Sequence, residues 1–223
     1  MNYTLIRSRR KTLTLQIKPD GSLLVRCPLR LNLREVERFI QAKQPWILSK
    51  QQLLRENFEK RQAFRLHPGM ELRYLGRTYP LRLSENRKSG FDARGFYLGN
   101  KIPEEKIRAT VVKIYKELAT THITAKVEHY ARLYKLKYTD VRIGSAKTRW
   151  GSCSSKNRLI FSWRLIMADE LCVDYVVLHE LAHTLEHNHS HQFWTKLGRM
   201  MPNYPEARRQ LRIFGRQLQA EDW

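Results

Sequence analysis

Hydrophobic and polar positions alternate over the first 27 residues: Tyr3 and Leu5, then Leu13, Leu15 and Ile17, then Leu23 and Val25, with Pro19-Asp20-Gly21 between the last two runs. A period of two is that of a half-buried strand, and Pro-Asp-Gly is turn chemistry, so the segment predicts a meander of strands. From Asn32 the spacing turns helical, through Val36, Phe39, Ile40, Ile47 and Leu48. Asn32 is placed as an N-cap with Glu35 three residues on, and Pro45 is placed to kink or split the helix. After Pro68-Gly69 come further strand-like runs at Leu72–Leu75, Tyr79–Leu83 and Phe96–Leu98, punctuated by Gly90, Gly95 and Gly99. Beyond Pro103, apolar residues at Ile107, Val111, Ile114, Leu118 and Ala125 predict a long amphipathic helix to about Leu136. His122 and His129 continue its stripe, where a histidine is ordinarily packed and not a ligand. Short strands come next, around Val141–Ile143, Thr148–Cys153 and Arg158–Trp163, the last two forming a hairpin. The pattern predicts an α+β fold with a boundary near residue 100. Residues 1–100 read as a β-rich N-terminal region with one helix, and residues 101–223 as a helix-dominated domain.

Composition narrows the classes. With 42% hydrophobic residues in 223, the chain has ample apolar surface to offset its ordering entropy, which excludes disorder throughout. No apolar run approaches the ~20 residues a bilayer crossing needs. The N-terminus turns basic at Arg7 before any apolar stretch could serve as a secretory signal. Cys27, Cys153 and Cys172 are widely spaced, with no CxxC pair, and read as reduced thiols of a cytoplasmic protein. The 42 Lys+Arg against 21 Asp+Glu leave a formal charge of +21, of which +13 falls in residues 1–100 and +8 in residues 101–223. Charge of that size attracts polyanions, so non-specific nucleic-acid binding through the basic N-terminal region is expected, against the plainer reading of a solvated surface. Tyr74, Tyr79, Phe91, Phe96 and Tyr97 lie among the charges, placed either to stack on bases or to pack in strands.

The chemistry concentrates in one stretch. Five of the eight histidines lie between positions 179 and 191, in HELAHTLEHNHSH. The apolar run Val173–Leu178 precedes it and predicts a buried helix, with Asp169-Glu170 at its start. Residues four apart sit one above the other on a helix, so His179 and His183 can close on one metal ion, with Glu180 beside it. Zinc lowers the pKa of a bound water from 15.7 towards ~7 and polarises a scissile carbonyl. Glu180 is then the candidate general base, taking a proton from the water and handing it to the leaving amine. Given the composition, roughly 0.02 HExxH matches would arise by chance, so the motif is specific. A catalytic zinc needs a third protein ligand and leaves a position for water. His189 lies six residues beyond His183, the spacing of HExxHxxGxxH enzymes, although Glu186 stands where those have Gly. Asn188, which tolerates a left-handed backbone, is a candidate helix terminator instead. Glu206 on a later helical segment is the rival third ligand, and His187 and His191 remain open. The competing function is a basic nucleic-acid-binding protein whose metal site is structural or degenerate. An intact Glu180 argues against it, because a structural site has no use for a general base.

His179–Trp194, HELAHTLEHNHSHQFW, resembles the active-site signature of the YgjP-like bacterial metallopeptidases, relatives of the SprT-like and Wss-type proteases. Thr148–Cys153, Asn157–Trp163 and the opening Ser8–Thr12 through Val25-Arg26 resemble that family too, so the likeness spans nearly the whole chain. It implies a zincin-like catalytic domain of small sheet, backing helix and HExxH helix, hydrolysing peptide bonds in a protein or peptide substrate. It also places the third ligand on His189, with Ser190 and Phe193 completing the match. A strand of the hairpin at 147–163 would border the cleft and pair with an extended substrate. Arg149 and Trp150 are the candidate substrate-binding residues there, holding the hairpin on the core being their other role. Cys153 reads as a buried thiol. The related enzymes cut DNA-bound proteins, a task the basic charge suits, although the chain has no evident zinc finger or other separate DNA-binding module.

Overall fold

The most apolar of the N-terminal strands takes the centre of its sheet. The computed structural model describes residues 2–85 and 88–223. Strands β1 (Tyr3–Ser8), β2 (Thr14–Ile17) and β3 (Leu23–Pro28) lie in the order β1-β3-β2. β1 runs parallel to β3 with Tyr3 opposite Leu23, and β2 is antiparallel to β3 with Thr14 opposite Arg26. The expected meander is therefore replaced by a hairpin with β1 on its far side. Leu23, Leu24, Val25 and Cys27 are all buried, and such a strand needs a neighbour on each edge. Arg7 holds β1 there by donating to the carbonyls of Leu29 and Leu31, at 3.0 and 2.7 Å. The Pro-Asp-Gly turn forms as read, with Gly21 at φ 82° and the Asp20 carboxylate accepting from the Ser22 amide at 2.9 Å.

Helix α1 (Leu33–Ala42) is capped by Asn32, whose side chain accepts from the Arg34 amide at 3.0 Å. It lays Val36 and Ile40 on Leu23, Val25 and Cys27, together with Ile47 of α2 (Gln44–Ala63). The helix splits at Lys43, and Pro45 sits in the first turn of α2, where its missing N–H costs no helical bond.

The chain divides into two compact units, one of residues up to Phe64 with Gln217–Asp222, the other of Arg65–Arg216 with Trp223. The division thus falls well before residue 100. The reason is an aromatic column that composition does not reveal. Strands β4 (Glu71–Tyr74), β5 (Arg77–Ser84), β6 (Gly90–Asp92) and β7 (Gly95–Gly99) form a sheet in the order β4-β5-β7-β6. Phe96 of β7 meets Tyr115 of the long helix α3 (Glu104–Leu133) at 4.9 Å, and Tyr115 stacks on Trp163 at 5.5 Å. The Tyr115 hydroxyl donates to the Arg73 carbonyl of β4 at 2.8 Å. Of the interleaved aromatics, Tyr74, Tyr79, Phe91 and Phe96 pack against one another.

A third sheet contains β8 (Asp140–Gly144), β9 (Gly151–Cys153) and β10 (Arg158–Ser162) in the order β8-β10-β9. The β9–β10 pair is the expected hairpin, shorter than read: Trp163 belongs to a 3-10 turn over Trp163–Met167. Helices α4 (Glu170–Ala182), α5 (His191–Met200) and α6 (Tyr204–Leu218) complete the chain. α3 backs α4 through charge as well as packing. Lys126 reaches Asp174 at 2.8 Å and Glu170 at 3.4 Å, and His122 meets Glu170 at 2.8 Å. His122 thus serves the helix pair, and His129 packs edge-on to Tyr130 at 5.0 Å. The architecture is α+β, and none of its helices, among the described residues, is long and apolar enough to cross a membrane.

Candidate metal centre and active site

Helix α4 is mostly apolar and largely buried, with Glu170 and Asp174 turned to the charged groups of α3. Val173, Val176, Val177, Leu178 and Leu181 are buried, and His179, Glu180 and His183 are polar groups set among them near its end. His183 closes the helix still in right-handed geometry, at φ −65° and ψ −18°, so the four-residue pairing with His179 survives. A tight turn then reverses the chain through the bonds Thr184 to Leu181 and Glu186 to Ala182. Neither Glu186 nor Asn188 takes a positive φ. The left-handed Asn188 expected as terminator is absent, because the turn closes on its backbone bonds without one. Asn188 acts through its side chain instead, accepting from the Ser190 amide at 2.9 Å, and Ser190 caps α5 by accepting from Phe193 at 3.3 Å. His189 is held between these two caps.

Three imidazoles converge as a result. Their ring centroids lie 4.9 Å (His179–His183), 5.0 Å (His179–His189) and 4.7 Å (His183–His189) apart. The Nε2 atoms of His179 and His189 face each other at 3.1 Å, and one nitrogen from each of the three rings lies within 4.8 Å of the others. His183 places Nδ1 on the Glu186 carbonyl at 3.0 Å, which leaves Nε2 free for a ligand. Phe193 floors the cluster, stacked 4.5 Å from His183 and 4.9 Å from each of the other rings. Among the described residues this is the one group of three or more candidate ligands that converges. Burial, with His183, His189 and Arg208 adding to it, pushes His179 down to about 3, and burial also lowers His183. These rings are therefore neutral at neutral pH, the form in which imidazole binds a metal.

Glu180 stands beside them, only 5% exposed. Burial pushes its carboxyl up to about 8, with the Arg149 guanidinium pulling the other way. A carboxyl balanced near neutrality is suited to taking and returning a proton. It lies over Gly151 of β9, where a Cβ would meet Glu180 Oε1 at 2.6 Å and Cγ at 2.7 Å. The cleft in front, about 380 Å³, is lined by Trp150 and Gly151, by Tyr175, His179 and Glu180 of α4, and by Arg208 and Arg212 of α6.

The YgjP-like metallopeptidase domain matches residues 11–214. The chain belongs to that family. Two solved structures are weakly similar to this YgjP-like chain. The metallopeptidase zymogen of Pyrococcus abyssi abylysin is 21% identical over 40% of this chain and 90% of that one, with a TM-score of 0.37. That of Methanocaldococcus jannaschii jannalysin is 22% identical over 43% and 96%, with a TM-score of 0.37. No curated protein matches the sequence. Family membership makes this a metallopeptidase with a zincin-like domain, and a metallopeptidase works with a divalent metal.

The donor set fits such an ion. Three imidazoles converge on one point, and a buried carboxyl stands next to it. The His179 Nδ1 atom is buried without a hydrogen-bond partner, so no competing bond turns that ring away. The other candidates lie apart. Glu206 is gripped by Arg209 at 2.7 and 2.9 Å and by Gln210 at 2.9 Å, and His187 and His191 are exposed outside the cluster. Trp150 lines the cleft and also packs on Phe214 at 5.6 Å. Arg149 is exposed and reaches the site by its charge on Glu180. Cys153 is a half-buried thiol, pushed up to about 11 by burial and by Glu180. Tyr175, Gly151, Arg208 and Arg212 escape a sequence reading. The signal present for the last two is their four-residue spacing on an amphipathic helix, hidden among the chain's many arginines.

Proposed function

We propose that this metallopeptidase is a zinc enzyme in which His179, His183 and His189 hold the ion and Glu180 is the general base. The observation that carries the reading is the convergence of three imidazoles beside one buried carboxyl. When bound there, zinc supplies a Lewis acid that acidifies water and polarises the scissile carbonyl. Glu180 takes one proton from the attacking water as the oxygen bonds to the carbonyl carbon. It then delivers that proton to the amine nitrogen as the C–N bond breaks, and is regenerated. Phe193 keeps the three rings in place, and the Glu186 carbonyl fixes the tautomer of His183.

Strand β9 pairs with β10 on one side only, which favours an extended substrate added along its other edge next to Trp150. Backbone pairing reads any side chain, so loosely specific cleavage of unfolded proteins is the natural task. The charge of +21 supports work on DNA-associated proteins, with non-specific nucleic-acid contact through the basic N-terminal region. Three free cysteines, two of them buried, support a reducing, cytoplasmic setting. The test is incubation of the zinc-loaded protein with a denatured protein substrate, with a chelator and Glu180→Gln as controls. Cleavage should be lost in both, and Glu180→Gln should keep its zinc. A zinc-loaded protein that cuts nothing while binding nucleic acid would favour the binding-protein alternative.

A further inference from the structure

One wall of the cleft has no task in this mechanism. α6 buries Ala207 and Leu211, and its Arg208 and Arg212 stand four residues apart, so both project from one face. Both line the cleft with His179 and Glu180. Neither has a carboxylate partner among the described residues, whereas Arg209, one position along, grips Glu206. Arg208 is also held in place. Its guanidinium lies 5.0 Å from the Trp194 ring, which also stacks with Tyr204 at 5.5 Å and with His189 at 5.6 Å. This column ties the guanidinium to the histidine cluster. The charges of Arg208 and Arg212 are both felt at the Tyr175 hydroxyl, and that of Arg208 at His179. The cleft thus presents two guanidinium groups beside the histidine cluster.

We propose that Arg208 and Arg212 form a carboxylate-recognising subsite, selecting peptide segments that carry an acidic side chain or a free C-terminal carboxylate beside the scissile bond. The assignment rests on the peptidase reading above. A guanidinium fork matches a carboxylate in two parallel hydrogen bonds, and an arginine already stacked on an aromatic face loses little freedom in making them. Val176 and Leu211 give the cleft an apolar floor beside the two exposed arginines. A space of about 380 Å³ takes one or two side chains, which favours a peptide over the backbone of a nucleic-acid duplex.

The test uses the full chain, zinc-loaded and carrying Glu180→Gln so that ligand is not consumed. Three fluorescent peptides of one sequence are compared by anisotropy: one with Glu in its centre and an amidated end, its Gln twin with an amidated end, and the Gln twin with a free C-terminus. The Glu peptide or the free-ended peptide should bind at least about tenfold more tightly than the amidated Gln twin, the weight of one charge-assisted contact. Which of the two does so identifies the source of the carboxylate. Arg208→Gln/Arg212→Gln should erase the preference with zinc content unchanged. Lys113→Gln/Lys116→Gln, which removes the same charge from α3, should leave it. Equal binding of all three peptides, or a preference that survives the arginine double variant, would overturn the proposal. So would a preference that falls equally in the lysine control. An oligonucleotide that loses affinity in the arginine variant while the peptide preference stays would make this a phosphate site and overturn it as well. Hydrolysis by the unsubstituted protein is scored separately: discrimination without any cleavage keeps the subsite and rejects the peptidase reading.

Discussion

Gly151 offers the sharpest test of how Glu180 is held. An alanine there adds a Cβ 2.6 Å from Glu180 Oε1, 2.7 Å from Cγ and 2.9 Å from Cδ. Ordinary contacts begin near 3.4 Å, so the carboxyl would have to retreat by up to ~0.8 Å at Oε1. Gly151 has no positive φ and lies in β9 opposite Phe161, so the backbone tolerates alanine and the substitution acts through the contact alone. Displacement of a catalytic group by about 1 Å costs ~10²-fold in rate. Overpacking of the buried carboxyl should also destabilise the protein, by about 1–3 kcal/mol. The assay is kcat/KM on a denatured protein substrate with zinc-loaded enzyme, beside zinc content and thermal unfolding. We expect a loss in kcat with zinc retained, since the three atoms nearest the new methyl all belong to Glu180. The double variant Gly151→Ala/Glu180→Gln should be no slower than Glu180→Gln by itself, because both changes act through one carboxylate. Full activity in Gly151→Ala, or losses that add in the double variant, would refute the claim that Gly151 positions the base.

In the metal-free protein, folded Glu180 ionises near 8 against 4.5 when unfolded, so the folded state holds the extra proton and stability falls as pH rises through that interval. His179, near 3 folded against 6.5 unfolded, works the opposite way and offsets it up to pH 6.5. Denaturant titrations between pH 6.5 and 8 should therefore show a loss of at most about 2 kcal/mol that Glu180→Gln lacks, and parallel curves for the two proteins would contradict it. His189→Ala should weaken zinc binding by an order of magnitude or more, measured by competition with a chelator, whereas Glu206→Ala, already committed to Arg209 and Gln210, should leave it nearly unchanged. For nucleic acid, removing the exposed charges of Arg9, Lys11 and Arg30 together should flatten the log–log salt dependence of binding by up to about 3, and an unchanged slope would move the contact elsewhere.

The parts of this protein that sequence makes readable are those whose determinants are close together along the chain. Asn32 as a cap, the Pro19-Asp20-Gly21 turn, Pro45 at a helix break and the HExxH face of α4 each depend on contacts within about one helical turn. The pairing of β1 with β3 could not be read this way. Its cause is the burial of β3 on both sides and the reach of Arg7 to Leu31, across two intervening elements. The boundary expected near residue 100 fails for a similar reason. Strands 71–99 share the basic composition of the N-terminal 64 residues, but Phe96, Tyr115 and Trp163 bind them to the helices and sheet of the C-terminal half.

The active site shows the same rule within one small volume. His179, Glu180 and His183 are within five residues of one another and declare their chemistry by spacing. His189 is six residues further on, beyond a turn whose course depends on Asn188 and Ser190 accepting particular backbone amides, so spacing alone leaves Glu206 as a rival. Gly151 and Arg208 are farther still, the first on a strand that only the family resemblance ties to the cleft and the second on a helix with no such signal. Gly151 leaves the space in which the Glu180 carboxyl lies, and Arg208 brings a guanidinium into the same cleft. Trp194 joins the near and far groups, since one ring supports His189 on one face and carries Arg208 through its π-system. A substitution at Trp194 should therefore disturb metal retention and carboxylate selection together, whereas Arg208→Gln should disturb only selection. That difference separates the support of the site from its specificity.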